Sequence, residues 1–98
     1  MNATQLFRKK DVRDGFIREM VVWSLDKPVT GCRHLFKYRF YFGRDDGSCL
    51  VRYDNERGKG DHKHFMGKEC PYIFRNLEAA FIDFNTDIDI ILSGSNKP

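Results

Sequence analysis

The sequence predicts an α+β domain, an antiparallel sheet of three to four strands with one C-terminal helix packed on one face. Apolar and polar residues alternate through much of residues 15–54, which is the two-residue period of a half-buried strand. From residue 77 onward, apolar residues recur at intervals of four and three, the period of an amphipathic helix. With 98 residues the chain is long enough for one hydrophobic core and too short for two, so residues 1–98 are predicted to form a single domain.

Three strands are predicted in the first half of the chain. Residues 15–25 alternate loosely and form the first strand, and residues 35–42 form the second, with aromatic rings along one face. The polar segment 43–48 has the composition of a hairpin turn, and residues 49–54 return as the third strand. If the faces match across this hairpin, the surface opposite the aromatic rings carries Lys37, Arg39, Arg52 and Asp54.

The second half is predicted to contain a long polar loop, a short strand and the helix. The loop runs to about Glu69, and residues 71–74 form a fourth strand that tolerates its proline at the start or on an edge. Asn76 is the expected N-cap of the helix. Residues 1–10 and 93–98 are expected to be mobile tails. The helix is expected to bury Leu77, Phe81, Phe84, Ile88 and Ile91.

Composition excludes several classes of protein. No apolar stretch approaches the ~18 residues that span a bilayer, and the first residues show no leader pattern, so a cytoplasmic protein without membrane contact is expected. The cysteines Cys32, Cys49 and Cys70 are odd in number and far apart, which predicts reduced thiols rather than disulfides or a zinc knuckle. Residues 1–75 hold 16 Lys and Arg against 10 acids, a balance of +6 that suits an anionic partner.

The most informative segment is residues 53–64, with the sequence Tyr-Asp-Asn-Glu-Arg-Gly-Lys-Gly-Asp-His-Lys-His. It holds two histidines, two aspartates and three cationic side chains on a backbone with two glycines. A nucleolytic or phosphate-recognising site needs such proton-transfer groups beside phosphate-binding cations. Each of these residues alone is ordinary turn or surface composition, but the whole segment favours a function.

The same segment resembles the TumE-type toxins of bacterial and archaeal type II toxin–antitoxin operons. The chain departs from the family pattern at Phe65-Met66 and at Cys70, where more polar residues are expected. The resemblance implies a growth-inhibiting protein that acts on RNA or the ribosome as a ribonuclease, encoded beside a cognate antitoxin that is often a DNA-binding protein. It rests on Trp23, Phe36-Lys37-Tyr38-Arg39, the run from Arg52 to His64, Glu69-Cys70-Pro71-Tyr72, Leu77-Glu78 and Ile82-Asp83-Phe84.

RNA cleavage without a metal or cofactor needs a base for the 2′-hydroxyl, an acid for the leaving oxygen and a cation for the charged phosphorane. His62 and His64 are the predicted acid–base pair, and Lys59 is the predicted phosphate cation. Asp54 or Asp61 is expected to orient an imidazole. Tyr38 is expected to offer the ring on which an RNA base stacks, whereas the other Phe and Tyr residues of the second strand are expected to lie in the core. The predicted nucleic-acid contacts are Lys37, Tyr38, Arg39, Arg52, Asn55, Arg57 and Lys63.

Two alternatives use the same residues. A metal-dependent nuclease would ligate an ion with His62, His64 and Asp61, with His34 or Asp54 as a further ligand, although the surrounding Lys and Arg side chains would repel a divalent cation. A non-catalytic toxin would bind RNA or the ribosome through the basic face and act by occupancy alone. The sequence leaves homo-oligomerisation and the fold of the antitoxin open.

Overall fold

The computed structural model describes residues 2–94, which form one six-stranded antiparallel sheet followed by one helix. The strands lie side by side in chain order. The predicted α+β class with a C-terminal helix is confirmed, but the predicted number of strands is wrong, since the sheet has six rather than three to four. The elements are β1 (Ala3–Arg13), β2 (Phe16–Leu25), β3 (Phe36–Arg44), β4 (Cys49–Glu56), β5 (Gly60–Phe65), β6 (Lys68–Pro71) and α1 (Leu77–Gly94).

The first unexpected strand is β1, which occupies most of the segment 1–10 that was expected to be a tail. It pairs with β2 through a tight turn at Asp14 and Gly15, both in the left-handed region with φ of 54° and 81°. Ten of its eleven residues are exposed. An edge strand that buries neither face needs no alternation of apolar residues, so the pattern that reveals strands is missing from it.

The predicted polar loop instead folds into β5 and β6. Positive φ at Gly58 (83°) and Gly60 (72°) lets the chain turn from β4 into β5. A second tight turn at Met66 and Gly67, with φ of 52° and 86°, leads into β6. The predicted fourth strand at 71–74 is therefore displaced, because β6 ends where that strand was expected to begin.

The register of the sheet separates its side chains onto two faces. Tyr53 pairs with Lys63, and both side chains lie on the face that α1 covers, called here the helix face. Asp54 pairs with Arg39 on one side and with His62 on the other, and these three lie on the opposite, open face. The charged surface predicted from the hairpin is therefore the open face, and it has no helix above it in the described part of the chain.

Aromatic rings make the central contact between sheet and helix. Phe84 of α1 is fully buried, with its ring centroid 5.5 Å from that of Phe40 and 5.6 Å from that of Tyr53. Tilted and edge-on ring pairs of this kind stabilise a core beyond the effect of buried area. The predicted stripe of the helix packs on this core, and its members are Leu77, Phe81, Phe84, Ile88 and Ile91.

Polar contacts fix the helix at its start and on its buried face. Asn76 Oδ1 accepts a hydrogen bond from the Ala79 N–H at 2.7 Å, which is the expected N-cap. Asp87 lies toward the end of the helix dipole that disfavours a carboxylate. It is buried and accepts hydrogen bonds from the Tyr53 hydroxyl at 2.5 Å and from Lys63 Nζ at 3.0 Å. These bonds tie α1 to β4 and β5.

Three further expectations from the sequence concern membrane spans, the cysteines and the C-terminal tail. Among those described, no helix is both long enough and apolar enough to cross a membrane. Cys32, Cys49 and Cys70 are free thiols. Of the predicted tail 93–98, the first two residues end α1, and residues 95–98 lie outside the described part of the chain.

Replacing Phe84 with Ala is expected to lower the free energy of unfolding by about 3–5 kcal/mol, because it opens a cavity between α1 and the rings of β3 and β4. Ile82→Ala is the control on the same helix: Ile82 is 58% exposed, and its change is expected to be about 0.5 kcal/mol or less. Denaturant melts measure both. Small and equal changes in the two variants would show that α1 does not close the core.

Candidate active site

The hairpins on either side of β5 bring titratable groups together on the open face. Asp54 pairs with His62 across the β4–β5 ladder. His64 pairs with Arg52 of β4 and with Glu69 of β6. With a lysine from the turn before β5, these residues form what is called here the open-face cluster: Arg52, Asp54, Lys59, His62, His64 and Glu69.

His62 is the most enclosed member of the open-face cluster, with 4% of its side chain exposed. Its Nδ1 lies 3.1 Å from the carbonyl oxygen of Gly60, which only accepts, so Nδ1 carries a proton and donates it. Its Nε2 lies 2.7 Å from Asp54 Oδ1, although these two atoms are not aligned as a hydrogen bond. Asp54 is therefore the carboxylate that lies against the His62 ring.

His64 is more accessible, with 25% of its side chain exposed. Its Nε2 lies 2.8 Å from Nη2 of Arg52, and a guanidinium only donates, so Nε2 accepts and Nδ1 holds the proton. The same Nε2 lies 3.7 Å from Glu69 Oε1. Arg52 Nε is also 3.4 Å from Asp54 Oδ2. The guanidinium therefore connects His64, which it contacts directly, with the carboxylate beside His62.

Lys59 and Glu69 form the solvent-facing rim of the cluster. Lys59 Nζ lies 3.3 Å from Glu69 Oε2. Hydrogen bonding from Lys59 holds the pKa of the Glu69 carboxyl below its usual range, so Glu69 is ionised at neutral pH. Glu56 adds a carboxylate 3.9 Å from His62 Nε2. Counting Asp54, three carboxylates thus face the two permanent cations of the cluster.

Glu56 and Glu69 are absent from the site residues that the sequence predicts. Glu69 joins the site because the Met66-Gly67 turn folds β6 back along β5. A signal for it exists, since a two-residue turn with glycine in second place is typical of a hairpin. The flanking segments carry no apolar alternation, however, so the sequence alone predicts a loop there.

Asp61 lies on the helix face, on the other side of the sheet from His62. Its Oδ2 accepts a hydrogen bond from the Tyr38 hydroxyl at 2.6 Å and lies 2.8 Å from His34 Nε2. Tyr38 is fully buried, and burial raises the pKa of its hydroxyl far above the usual range. The structure contradicts two expectations here, because Asp61 cannot orient His62 and the Tyr38 ring has no free face for a base. Asp61 is separated from His62 because neighbouring residues of a strand point to opposite faces of the sheet.

Asn55 and Lys63, both predicted nucleic-acid contacts, point to the helix face: Asn55 is fully buried, and the side chain of Lys63 is 27% exposed. The buried amide of Asn55 donates to the Phe36 carbonyl oxygen at 2.7 Å and accepts from the Tyr38 N–H at 3.1 Å, which continues the β3–β4 ladder past its last backbone pair. Lys63 reaches Asp87 of α1 on the helix face. Neither residue faces the open-face cluster, so both expectations are corrected.

The remaining predicted contacts surround the cluster. Arg39 is exposed on the open face, and its guanidinium lies 5.4 Å from the centre of the Tyr41 ring. Lys37 and Arg57 line a cleft of about 530 Å³ between the β2–β3 loop and the β4–β5 turn. Arg39 therefore lies on the same face as the cluster, whereas Lys37 and Arg57 lie at the cleft.

Within residues 2–94, two groups of side chains have metal-ligand spacing, and the first consists of Cys32, His34 and Asp61. The Phe36 N–H donates to His34 Nδ1, so His34 Nε2 carries the ring proton and offers no lone pair to an ion. Burial raises the pKa of the Cys32 thiol to about 11, which keeps it protonated at neutral pH. This group is therefore poorly suited to a metal.

The second group consists of His62, His64 and Glu69, whose ligand atoms lie within 4.8 Å of one another. The hydrogen bond from His62 Nδ1 to a backbone oxygen leaves its Nε2 available as a ligand. The Nε2 of His64 also accepts rather than donates. This second group has the donor set that zinc or manganese prefers.

Comparison with known families agrees with the resemblance carried by the run from Arg52 to His64 in β4 and β5. A family model described as Toxin TumE matches residues 2–92, nearly the whole chain. The chain belongs to the TumE toxin family. Comparisons with curated proteins and with solved structures found no match. Membership of the TumE family gives the chain the role of toxin in a toxin–antitoxin system, and it implies an antitoxin partner.

In this TumE-family chain, Asn55→Ala is expected to lower the free energy of unfolding by about 1–3 kcal/mol, because it leaves buried backbone groups of Phe36 and Tyr38 without partners. Arg57→Ala, two residues along and exposed, is the control, with an expected change of about 0.5 kcal/mol or less. Denaturant melts measure both. An Asn55→Ala protein that keeps full stability but loses affinity for RNA would contradict this prediction and show that Asn55 contacts RNA.

Proposed function

We propose that this TumE-family toxin acts in the cytoplasm by cleaving RNA at the open-face cluster, and that its antitoxin neutralises this activity. The observation that carries the proposal is an accessible imidazole beside an accessible carboxylate: His64 Nε2 and Glu69 Oε1 are 3.7 Å apart. Arg52 and Lys59 contact this pair from either side. A base, an acid and two phosphate-binding cations thus lie within one site.

In the proposed mechanism Glu69 is the base. Its lowered pKa keeps it ionised, so that it can take the proton of the 2′-hydroxyl while that oxygen attacks the adjacent phosphorus. Arg52 and Lys59 stabilise the charge that develops on the phosphorane. When the phosphate draws Arg52 away from His64, the freed Nε2 takes up a proton from water and gives it to the leaving 5′-oxygen, and Glu69 afterwards returns the 2′-hydroxyl proton to water. The products are a 2′,3′-cyclic phosphate and a 5′-hydroxyl.

His62 takes a different role from the one predicted from the sequence. Its side chain is 4% exposed and held at both nitrogens, so it positions the site rather than contacting RNA. Its ring packs against Asp54, the carboxylate that lies 3.4 Å from Arg52. The proposed acid–base pair is therefore His64 with Glu69, rather than His62 with His64.

The rest of the open face supplies a path for the RNA. Arg39, Lys37 and Arg57 provide cations around the cluster. Tyr41 pairs with Arg52 in the β3–β4 ladder, so its ring lies on the open face. In this proposal Tyr41 therefore takes the stacking role that was predicted for Tyr38, which is buried.

Expression of the chain alone is expected to arrest growth, and co-expression of the adjacent gene is expected to restore it. His64→Ala or Glu69→Ala is expected to slow cleavage of cellular RNA by the purified protein by about a hundredfold or more, because each removes a proton-transfer group. Glu78→Ala is the matched control, since Glu78 lies in the first turn of α1, outside the open-face cluster.

The same variants separate catalysis from occupancy. Catalysis requires that His64→Ala still binds RNA, measured by fluorescence anisotropy, while it no longer arrests growth. If His64→Ala and Glu69→Ala remain toxic and Arg39→Ala with Arg57→Ala abolishes toxicity, the protein acts by binding alone. Unimpaired growth with confirmed soluble expression of the unchanged chain would refute the proposed activity.

A metal-dependent nuclease is a second candidate, favoured by one observation. His62 Nε2 and Asp54 Oδ1 are buried 2.7 Å apart without a well-aligned hydrogen bond. Oxygens of Glu69 lie 3.8 Å from His62 Nε2 and 3.7 Å from the other Nε2 of the cluster. Two ligand atoms that each lie ~2.1 Å from a tetrahedral ion are ~3.4 Å apart, and this separation lies between the shortest and the longest of these three distances. Of the cations expected to repel the ion, Lys63 and Arg57 lie outside the cluster, whereas Arg52 and Lys59 contact two of the three ligands.

Cleavage of RNA is expected to persist in excess chelator, because Arg52 and Lys59 already supply the positive charge that the phosphorane needs. The measurement is the rate of cleavage before chelation, after it, and after manganese or zinc is returned. Activity that disappears with chelator and returns with either ion would assign the chemistry to a metal bound by His62, His64 and Glu69. Titration calorimetry with zinc on the His62→Ala variant provides the control.

A further inference from the structure

The two edges of the sheet differ in how they are protected. At one edge, β6 has four residues and ends at a proline, and both features discourage pairing with another strand. At the other edge, β1 has eleven residues and pairs only with β2 within the described chain. A long exposed strand with one unpaired edge is a template for an added strand. The fold therefore directs strand addition to β1.

The charge along β1 indicates what kind of strand would add there. Asp11 is the one acid of the strand, and it is already paired with Arg18 at 2.7 Å. Lys9, Lys10 and Arg13 are exposed, and none of them has a carboxylate within ion-pair distance anywhere in residues 2–94. Edge lysines also discourage self-association, so β1 repels a basic strand and attracts an acidic one.

A cleft of about 590 Å³ lies beside the same strand, between the end of β1 and the C-terminal half of α1. Phe16, Phe42 and Ile88 give it apolar walls. Its charged lining is mixed, with Lys9 and Arg13 beside Asp14 and Asp89. A segment that pairs with β1 can thus place an apolar side chain in the cleft and acidic side chains over the lysines.

We infer that β1 is the docking strand of the antitoxin, which adds an extended acidic segment as a seventh strand of the sheet and fills the cleft with an apolar side chain. This inference rests on the toxin role given by the family and proposed above. A second copy of the chain fits less well, because an antiparallel pair centred on Arg8, the middle of β1, places the two Arg8 side chains opposite each other. A pair centred on Lys9 places the run Arg8-Lys9-Lys10 of each copy against the same run of the other.

The test uses the full chain and the purified product of the adjacent gene. Lys9→Glu is expected to weaken their binding by about tenfold in titration calorimetry, because it places a like charge against the acidic segment. Lys68→Glu makes the same charge change on β6, where Lys68 is exposed, and is expected to leave the affinity within about twofold. Equal weakening by both variants, or none by Lys9→Glu, overturns the inference. Circular dichroism melts check that both variants are folded.

Hydrogen exchange distinguishes strand addition from simple charge attraction. Amides of β1 are expected to exchange more slowly in the complex, because the added strand accepts their free N–H groups. Protection elsewhere with β1 unchanged contradicts the inference, and so does a dimer of the chain alone with protected β1 amides, which assigns the edge to a second copy. Lys9→Glu is also expected to stay toxic while the antitoxin no longer rescues growth. Since binding is measured directly, loss of RNA cleavage and loss of docking are separate results.

Discussion

Alternation along β5 is the constraint on which both halves of the molecule depend. Asp61 and Lys63 turn to the helix face and bond with core partners, while His62 and His64 turn to the open face. Because a strand repeats every two residues, slipping the β4–β5 pairing by one residue would bury both imidazoles under α1 and expose their neighbours. Gly60 helps to hold this register, since a Cβ there would come within 2.9 Å of a backbone oxygen of the β2–β3 loop. The chemistry of the site is therefore set by backbone geometry.

The elements that bury a face were predictable from the sequence, and those that do not were missed. The strands β3 and β4 and the helix α1 show apolar periodicity because each must cover the core, and their predicted bounds are close to the observed ones. The strand β1 buries neither face, and β5 carries polar groups on both. Apolar residues therefore do not alternate with polar ones along these two strands, and a hydrophobicity pattern does not reveal them. The turns at Asp14-Gly15 and Met66-Gly67 held the missing information, but a turn identifies a hairpin only when the strands beside it are recognised.

Within the site, the grouping of functional residues in the sequence identified the region, but it did not identify which side chains contact each other. By sequence, Asp54 and Asp61 were equivalent candidates to orient an imidazole, and only the register shows that Asp54 lies opposite His62. Glu69 enters the cluster through a strand that the sequence did not predict. Composition also cannot separate an amide that contacts RNA from one that continues a backbone ladder, as Asn55 does. Side-chain identity thus predicted the chemistry available, whereas strand pairing decided which groups meet.

The distance across the sheet places a condition on neutralisation by an antitoxin held at β1. Four strand spacings of ~4.8 Å separate β1 from β5, so a segment paired with β1 lies ~20 Å or more from the histidines and leaves them uncovered. The antitoxin must therefore continue over the open face, where Arg39 and Lys59 offer further contacts for acidic side chains. Anchoring at the edge raises the effective concentration of this second contact. Under the proposed activity, a contact over the cluster that is weak by itself then competes with RNA, and loss of the edge contact weakens that competition.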